Sequence, residues 1–227
     1  MIKFITSTEK KIVDNISSEL ITSLKKYPKT LWLVSGGSNI PIEIKNANNL
    51  PSDLTSNLIV ALIDERFGHI NHPDSNLQQL IKAGLKLPLS TIIPVLGSDH
   101  NNLSETIHQY NKILSKLFSE TNINIIGQLG IGEDGHIAGL LPNSEALTSN
   151  HLVDGYQSDT FTRITLTPLA LKKLNQIFVI ALNPNKTQAI EKLFNNSFDT
   201  YKNFPAGILR DFSNIYIYNR TIEGEVL

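Results

Sequence analysis

The segment Gly130-Ile131-Gly132-Glu133-Asp134-Gly135-His136 sets two carboxylates and a histidine on a backbone interrupted by three glycines. Imidazole is the side chain best suited to general-base work near neutrality, and a nearby carboxylate can orient the ring. So many glycines in so few residues mark a backbone that needs unusual dihedrals or lies against a ligand. A capped turn with a satisfied histidine is the plainer reading. It is outweighed, because the loop leaves a predicted strand and no apolar periodicity accounts for His136.

Two other segments carry chemistry. Ser35-Gly36-Gly37-Ser38-Asn39 stands between a strand pattern and a helix pattern with Ile42, Ile44, Lys45 and Ala47. Paired glycines let backbone N–H groups approach an anion, and a helix start behind them favours phosphate. The spacing matches neither a Walker loop nor a dinucleotide fingerprint, and by itself it fits an ordinary turn equally well. Asp64-Glu65-Arg66 ends a second strand pattern, where a surface ion pair is the plainer reading. His69 and His72, in the loop after it, lack a third ligand at a metal-binding spacing and are expected in solvent, while Ser75 is expected to cap a helix. Arg163, opening RITLTP, and Lys186, at a predicted helix start, are cations that could complete an anion site begun by Ser35–Ser38.

The elements that must hold these residues are legible in the apolar pattern. Leu31–Ser35, Leu58–Asp64, Ile123–Leu129, Phe161–Thr165, Ile177–Leu182 and Ile215–Tyr218 read as strands. Ile12, Ile16, Leu20 and Leu24 give one helix face. Leu103, Ile107, Tyr110, Leu114, Leu117 and Phe118 give another, with capping groups in Ser104 to Ile107 and in the asparagines before it (Asn101 and Asn102). Strands separated by helices predict an α/β, doubly wound, mostly parallel sheet with helices on both faces. Such sheets bind ligands beyond the carboxyl ends of their strands, which is where all three polar segments fall.

Composition narrows the function classes. The 227 residues fit a single domain, 1–227, with 20 Lys and Arg against 21 Asp and Glu. That balance offers nothing to nucleic acid or an acidic membrane. No cysteine is present, which excludes disulfides, thiolate metal sites and a thiol nucleophile. Charged residues interrupt the first thirty positions and the apolar runs are short, so the expected location is cytoplasmic. Oligomeric state is left open.

The order of motifs is more specific than any one of them. SGGS, DERF with HPDSN, GIGEDGHIAGLLPNS, RITLTPLAL, NPNKTQAI and FPAGIL run from residue 35 to 209. This resembles the 6-phosphogluconolactonase family, within the superfamily that includes glucosamine-6-phosphate deaminase. The resemblance implies a Rossmann-like fold and hydrolysis of a sugar-phosphate lactone in the pentose phosphate pathway, with neither cofactor nor metal. It implies His136 as the base with Asp134 beside it, and Arg66 as the arginine of DER, a candidate for the oxyanion, a sugar hydroxyl or phosphate. It implies phosphate binding by Ser35, Gly36, Gly37, Ser38, Arg163 and Lys186.

Three places depart from the family pattern: Asn39-Ile40 before Pro41, Gly139-Leu140-Leu141 after the histidine, and Asn183-Pro184-Asn185 before the lysine. Two rival functions have their own signatures. The deaminases resemble this chain through GIG-x-DGHIA, but theirs continues to a glutamate that assists ring opening, and Leu141 stands in its place. A leucine moves no proton. A non-catalytic sugar-phosphate-binding regulator would be expected to lose the histidine, which is present.

Overall fold

The structure, a computed structural model, describes residues 1–97 and 102–226. Its elements run β1 (Ile2–Thr6), α1 (Glu9–Lys26), β2 (Lys29–Val34), α2 (Ile40–Asn49), β3 (Leu58–Leu62), β4 (Asp64–Arg66), α3 (Asn76–Lys82) and β5 (Thr91–Ile93). They continue with α4 (Leu103–Phe118), β6 (Ile123–Gly130), β7 (Val153–Gln157), β8 (Thr162–Leu166), α5 (Pro168–Leu171), β9 (Gln176–Ala181), α6 (Thr187–Asn195), β10 (Ile215–Asn219) and β11 (Gly224–Val226).

The main sheet has the order β11-β1-β10-β9-β6-β2-β3-β5. Every ladder is parallel except β1–β11. The central strand shows why. Leu31, Trp32, Leu33 and Val34 of β2 are all buried, a continuous apolar run suited to a strand covered on both sides. From β2 the chain moves outward to β3, and from β6 it moves the other way to β9. The carboxyl ends of β2 and β6 therefore flank the point where the winding reverses, the usual seat of a ligand crevice.

Helix α1 buries Ile12, Ile16, Leu20 and Leu24 on one stripe, and Thr8 caps it by accepting from the Lys11 amide. Helix α4 is capped by Asn102, and Asn101 lies outside the described residues. Its buried Tyr110 reaches the end of β3, where the hydroxyl donates to the Leu62 carbonyl at 2.6 Å and accepts from the Leu62 amide at 3.0 Å. That double contact fixes the strand end from which Asp64-Glu65-Arg66 departs.

Two strand expectations need correction. Leu58–Asp64 is not one strand, and Phe161–Thr165 does not join the parallel sheet. Strands β4, β8 and β7 form a separate antiparallel sheet. Ile63 is the junction: its amide donates to Val34 of the main sheet at 2.8 Å, while its carbonyl accepts from Leu166 of the small sheet at 2.8 Å. One residue changes partners, and the strand-end residues turn toward the crevice. β1, β5, β7 and β11 had no strand expectation, being short or lying at or near a sheet edge.

Candidate active site

The crevice at the ends of β2 and β6 is a cleft of about 260 Å³ lined by Ser35–Asn39, Gly130–Ile131, His136, Arg66, Arg163 and Lys186, with Asp64 and Asn76 at its base. It thus gathers nearly all the residues singled out from sequence. Asp134 stands one contact away, against His136 on the outer side.

The histidine loop closes on itself. Ile131 and Ile137, both buried, bridge each other, and the Gly132 amide donates to the His136 carbonyl at 2.8 Å. Asp134 Oδ1 meets His136 Nδ1 at 2.7 Å and accepts from the His136 amide at 3.1 Å. Nε2 is thereby left as the ring nitrogen available to a substrate or water. Partial burial opposes the Asp134 carboxylate, but the hydrogen bonds from the His136 ring and amide outweigh it and hold its carboxyl below the usual range. A Cβ at Gly132 would lie 2.1 Å from His136 Nδ1, so only glycine admits this pair. Gly135, at φ +83°, takes a left-handed conformation against the Phe204 ring, and its carbonyl accepts from the Ala206 amide at 2.8 Å. The FPAGIL segment therefore buttresses the loop from below.

The glycine-rich turn behaves differently from expectation. The Ser35 and Gly36 amides do not face the cleft; they donate to the buried carboxyl of Glu43, at 2.9 Å and 3.2–3.3 Å. Burial pushes the Glu43 carboxyl up to about 8, although the Ser35 and Gly36 donors pull the other way. The donors this turn leaves uncommitted are the Gly37 and Ser38 amides, which open a helical turn and lack intrahelical acceptors. Lys186 Nζ donates to Ser38 Oγ at 3.0 Å. Burial lowers the Lys186 pKa, with Glu133 partly restoring it, so the ammonium is held where an anionic ligand would be favoured. Asn185 binds Glu133 through its side chain, so the departure Asn183-Pro184-Asn185 ties this turn to the histidine loop. The departure Asn39 is buried and donates to Ser35 Oγ at 3.0 Å.

The three letters of DER have three separate duties. Glu65 points away from the cleft. Its Oε1 accepts from the Asn76 amide at 2.6 Å and its Oε2 from Ser75 Oγ at 2.9 Å and the Leu77 amide at 3.1 Å, satisfying the start of α3. Ser75 caps that helix as expected, accepting from Gln78. Asp64 lines the cleft, and burial raises its carboxyl to about 6 while Arg66 and Arg163 pull it down. Arg66 and Arg163 stand opposite each other in the β4–β8 register. His72 corrects the expectation of a solvated loop histidine: it is buried, with Nε2 2.9 Å from the Arg66 carbonyl, and it braces that strand. Among the described residues no cluster suited to a metal ion is present.

Sequence reasoning names Asp64 only within DER, with a surface ion pair as its plainer reading, and does not reach Asn76 or Glu43 as site residues. For Asp64 the signal was its place at a strand end in a doubly wound sheet. Asn76 sits at a helix start with its Nδ2 donating to the Asp64 carbonyl at 2.8 Å, which no motif spacing announces. Glu43 was hidden as one polar letter in a helix pattern. Beyond His136 the cleft opens into an outer hollow of about 890 Å³ bordered by Glu133, Leu141, Asn143, Tyr156 and the 157–160 turn. Tyr156 donates to the Gly139 carbonyl at 2.6 Å, steadying the segment that follows the histidine, where Ala138 is held at φ 52°.

Fold and cleft together define an α/β protein whose crevice gathers Arg66, Arg163 and Lys186 beside a histidine–carboxylate pair. The chain belongs to the family described as glucosamine-6-phosphate isomerases/6-phosphogluconolactonase, whose model matches residues 6–216. It is 29% identical to a 6-phosphogluconolactonase of Nostoc sp. over 82% of this chain and 80% of that one. It is 25% identical to a glucosamine-6-phosphate deaminase of Staphylococcus epidermidis over 95% of this chain and 96% of the other. The crystal structure of a 6-phosphogluconolactonase from Shewanella baltica superposes with a TM-score of 0.79 at 19% identity, covering 96% of this chain and 97% of that one, which shows a shared fold. Among the described residues no helix is long and apolar enough to cross a membrane.

Proposed function

We propose that this protein hydrolyses 6-phosphogluconolactone to 6-phosphogluconate, with His136 as general base. The observation that carries the reading is the His136–Asp134 pair, 2.7 Å apart, at the rim of a cleft that also presents Arg66, Arg163 and Lys186. A phosphate monoester suits three cations, the Ser38 hydroxyl and two turn amides, and held there it would position the lactone without reacting. The likeness to the Nostoc lactonase supports this substrate.

In the proposed reaction His136 Nε2 takes a proton from water as the oxygen attacks the C1 carbonyl. With the cations engaged by the phosphate, the developing oxyanion is stabilised by backbone N–H groups of the loops at the cleft. Collapse of the tetrahedral intermediate breaks the bond from C1 to the ring oxygen, and the imidazolium returns its proton to that oxygen, giving the open acid. Asp134 fixes the ring by its contact with Nδ1 and offsets its transient charge.

The second reading, deamination of glucosamine 6-phosphate, draws support from the similarity to the Staphylococcus enzyme. Against it stands Leu141 on the wall of the outer hollow, where the deaminase pattern has a proton-carrying glutamate. Purified protein should be assayed for lactone opening, corrected for spontaneous hydrolysis, beside ammonia release from glucosamine 6-phosphate. Lactone opening with no ammonia supports the proposal, and the reverse pattern overturns it.

A further inference from the structure

The antiparallel register places Arg66 directly opposite Arg163, and like charges facing each other across a ladder are destabilising. Something must offset that cost before any ligand arrives. The buried Asp64 carboxylate supplies one part, acting on both arginines. The ring of Phe161 supplies another, with the guanidinium carbon of Arg66 5.3 Å and that of Arg163 5.8 Å from its centroid. An aromatic face attracts a guanidinium at such distances, and this weakly hydrated ion stacks readily on it.

Two further observations point the same way. The Nε atoms of Arg66 and Arg163 are both shielded from water and have no hydrogen-bond partner. Phe161 is only half-buried, and it does not belong to the main core cluster, so filling the interior is not its task. The turn that carries it is built to hold it still. Ser158 donates to the Phe161 carbonyl through its hydroxyl at 2.7 Å and its amide at 2.9 Å, and its Oγ accepts from the Phe161 amide at 3.2 Å. Arg66 is anchored at its far end, where Nη1 donates to the Asp74 carbonyl at 2.8 Å.

We propose that Phe161 is a positioning residue of the anion site, whose ring keeps the guanidinium groups of Arg66 and Arg163 together and turned into one cleft, so that the pair favours a doubly charged group such as a phosphate monoester. The inference rests on the phosphate-binding reading given above and adds the residue that makes two repelling cations act as one receptor. By screening the guanidinium faces from water, the ring also strengthens their attraction for an anion.

The test compares Phe161→Leu, Phe161→Trp, Arg66→Ala and Arg163→Ala in calorimetric titrations with 6-phosphogluconate and with sulfate, alongside thermal melting. Phe161→Leu keeps apolar bulk without an aromatic face and should raise both dissociation constants about 5- to 20-fold. Its lactone KM should rise by a similar factor while kcat falls by less. Phe161→Trp should restore binding to within about threefold of wild type. Replacing Phe161 with pentafluorophenylalanine, which keeps the shape but reverses the ring's electrostatics, should weaken binding as leucine does, and covers the case in which the leucine variant does not fold. Wild-type affinity in the leucine or pentafluoro variant, with binding lost in the arginine variants, would overturn this proposal alone. Unchanged affinity in both arginine variants would overturn the phosphate-site reading and this proposal with it.

Discussion

The hydroxyl of Ser38 accepts a hydrogen bond from Lys186 Nζ at 3.0 Å, joining two turns 148 residues apart in the chain. The first turn follows β2 and the second follows β9, and β6 lies between those strands in the sheet. The contact spans the crevice beside the histidine loop. Gly130 is part of the same arrangement, since a Cβ there would come within 3.7 Å of Lys186 Nζ.

This bridge singles out Lys186, and the register opposite Arg66 singles out Arg163, as the first residues to test. Each charge-assisted hydrogen bond to phosphate contributes roughly 1.5–3 kcal/mol, so Lys186→Ala and Arg163→Ala should each raise the dissociation constant for 6-phosphogluconate about tenfold or more. Arg163→Lys should recover only part of the loss, because an ammonium cannot reproduce the guanidinium fork. Calorimetry on folded variants decides it, and unchanged binding in both alanine variants would remove them from the site.

Turnover should depend on His136 far more than binding does. His136→Asn is expected to cost about 10²–10⁴-fold in kcat, the usual worth of a positioned base, with product affinity changed little. Gly132→Ala tests the geometry separately from the chemistry. Its Cβ would stand 2.1 Å from His136 Nδ1 and 2.6 Å from Asp134 Oδ1, so the pair must separate. The expected result is a fall in kcat of at least about tenfold with the fold retained. Wild-type turnover in His136→Asn would sink the general-base assignment.

Asp64 should make anion binding depend on pH. Burial raises its carboxyl to about 6, so below that value it loses the negative charge that opposes anions beside Arg66 and Arg163. Sulfate keeps its charge from pH 5 to 8 and is the appropriate probe. Its affinity should increase as pH falls through 6, and Asp64→Asn should bind more tightly than wild type at pH 8 and show a shallower profile. Superimposable profiles for the two proteins would refute the effect.

Glu43 should leave its mark on stability. Its carboxyl is raised from 4.5 to about 8 on folding, so between those values the native state holds a proton that the unfolded chain releases. Stability from this group is full below about pH 4.5 and is lost as pH rises through 8. Glu43→Gln keeps an acceptor for the Ser35 and Gly36 amides without titrating. Urea denaturation at pH 5, 7 and 9 should show the midpoint of wild type falling more steeply toward alkaline pH than that of the variant. Equal slopes would show that Glu43 does not couple to folding in this range.

Much of this protein is local enough to read from its letters. Short, aromatic and β-branched apolar runs such as Leu31–Val34 suit a strand covered on both faces, and the i, i+4 stripe of α1 follows from helical geometry. The His136–Asp134 contact was legible for the same reason: two residues separated by one glycine on a turn cannot lie far apart. The order of SGGS, DERF and GEDGH along the chain was sufficient to suggest the family.

What the tertiary structure alone decided depends on contacts between distant segments. The exchange of partners at Ile63 moved RITLTP into a second sheet and set Arg163 against Arg66, and no periodicity within either segment encodes that register. The division of Asp64 toward the cleft and Glu65 toward α3 follows from the alternation of a strand whose flanking faces meet different neighbours. Glu43 took the Ser35 and Gly36 amides because α2 folds back over its own leading turn and a buried donor must find an acceptor. Apolar pattern is a property of neighbouring residues and is written in the chain; the pairing of buried charges and donors is a property of the packed interior, and it exists only once the segments have met.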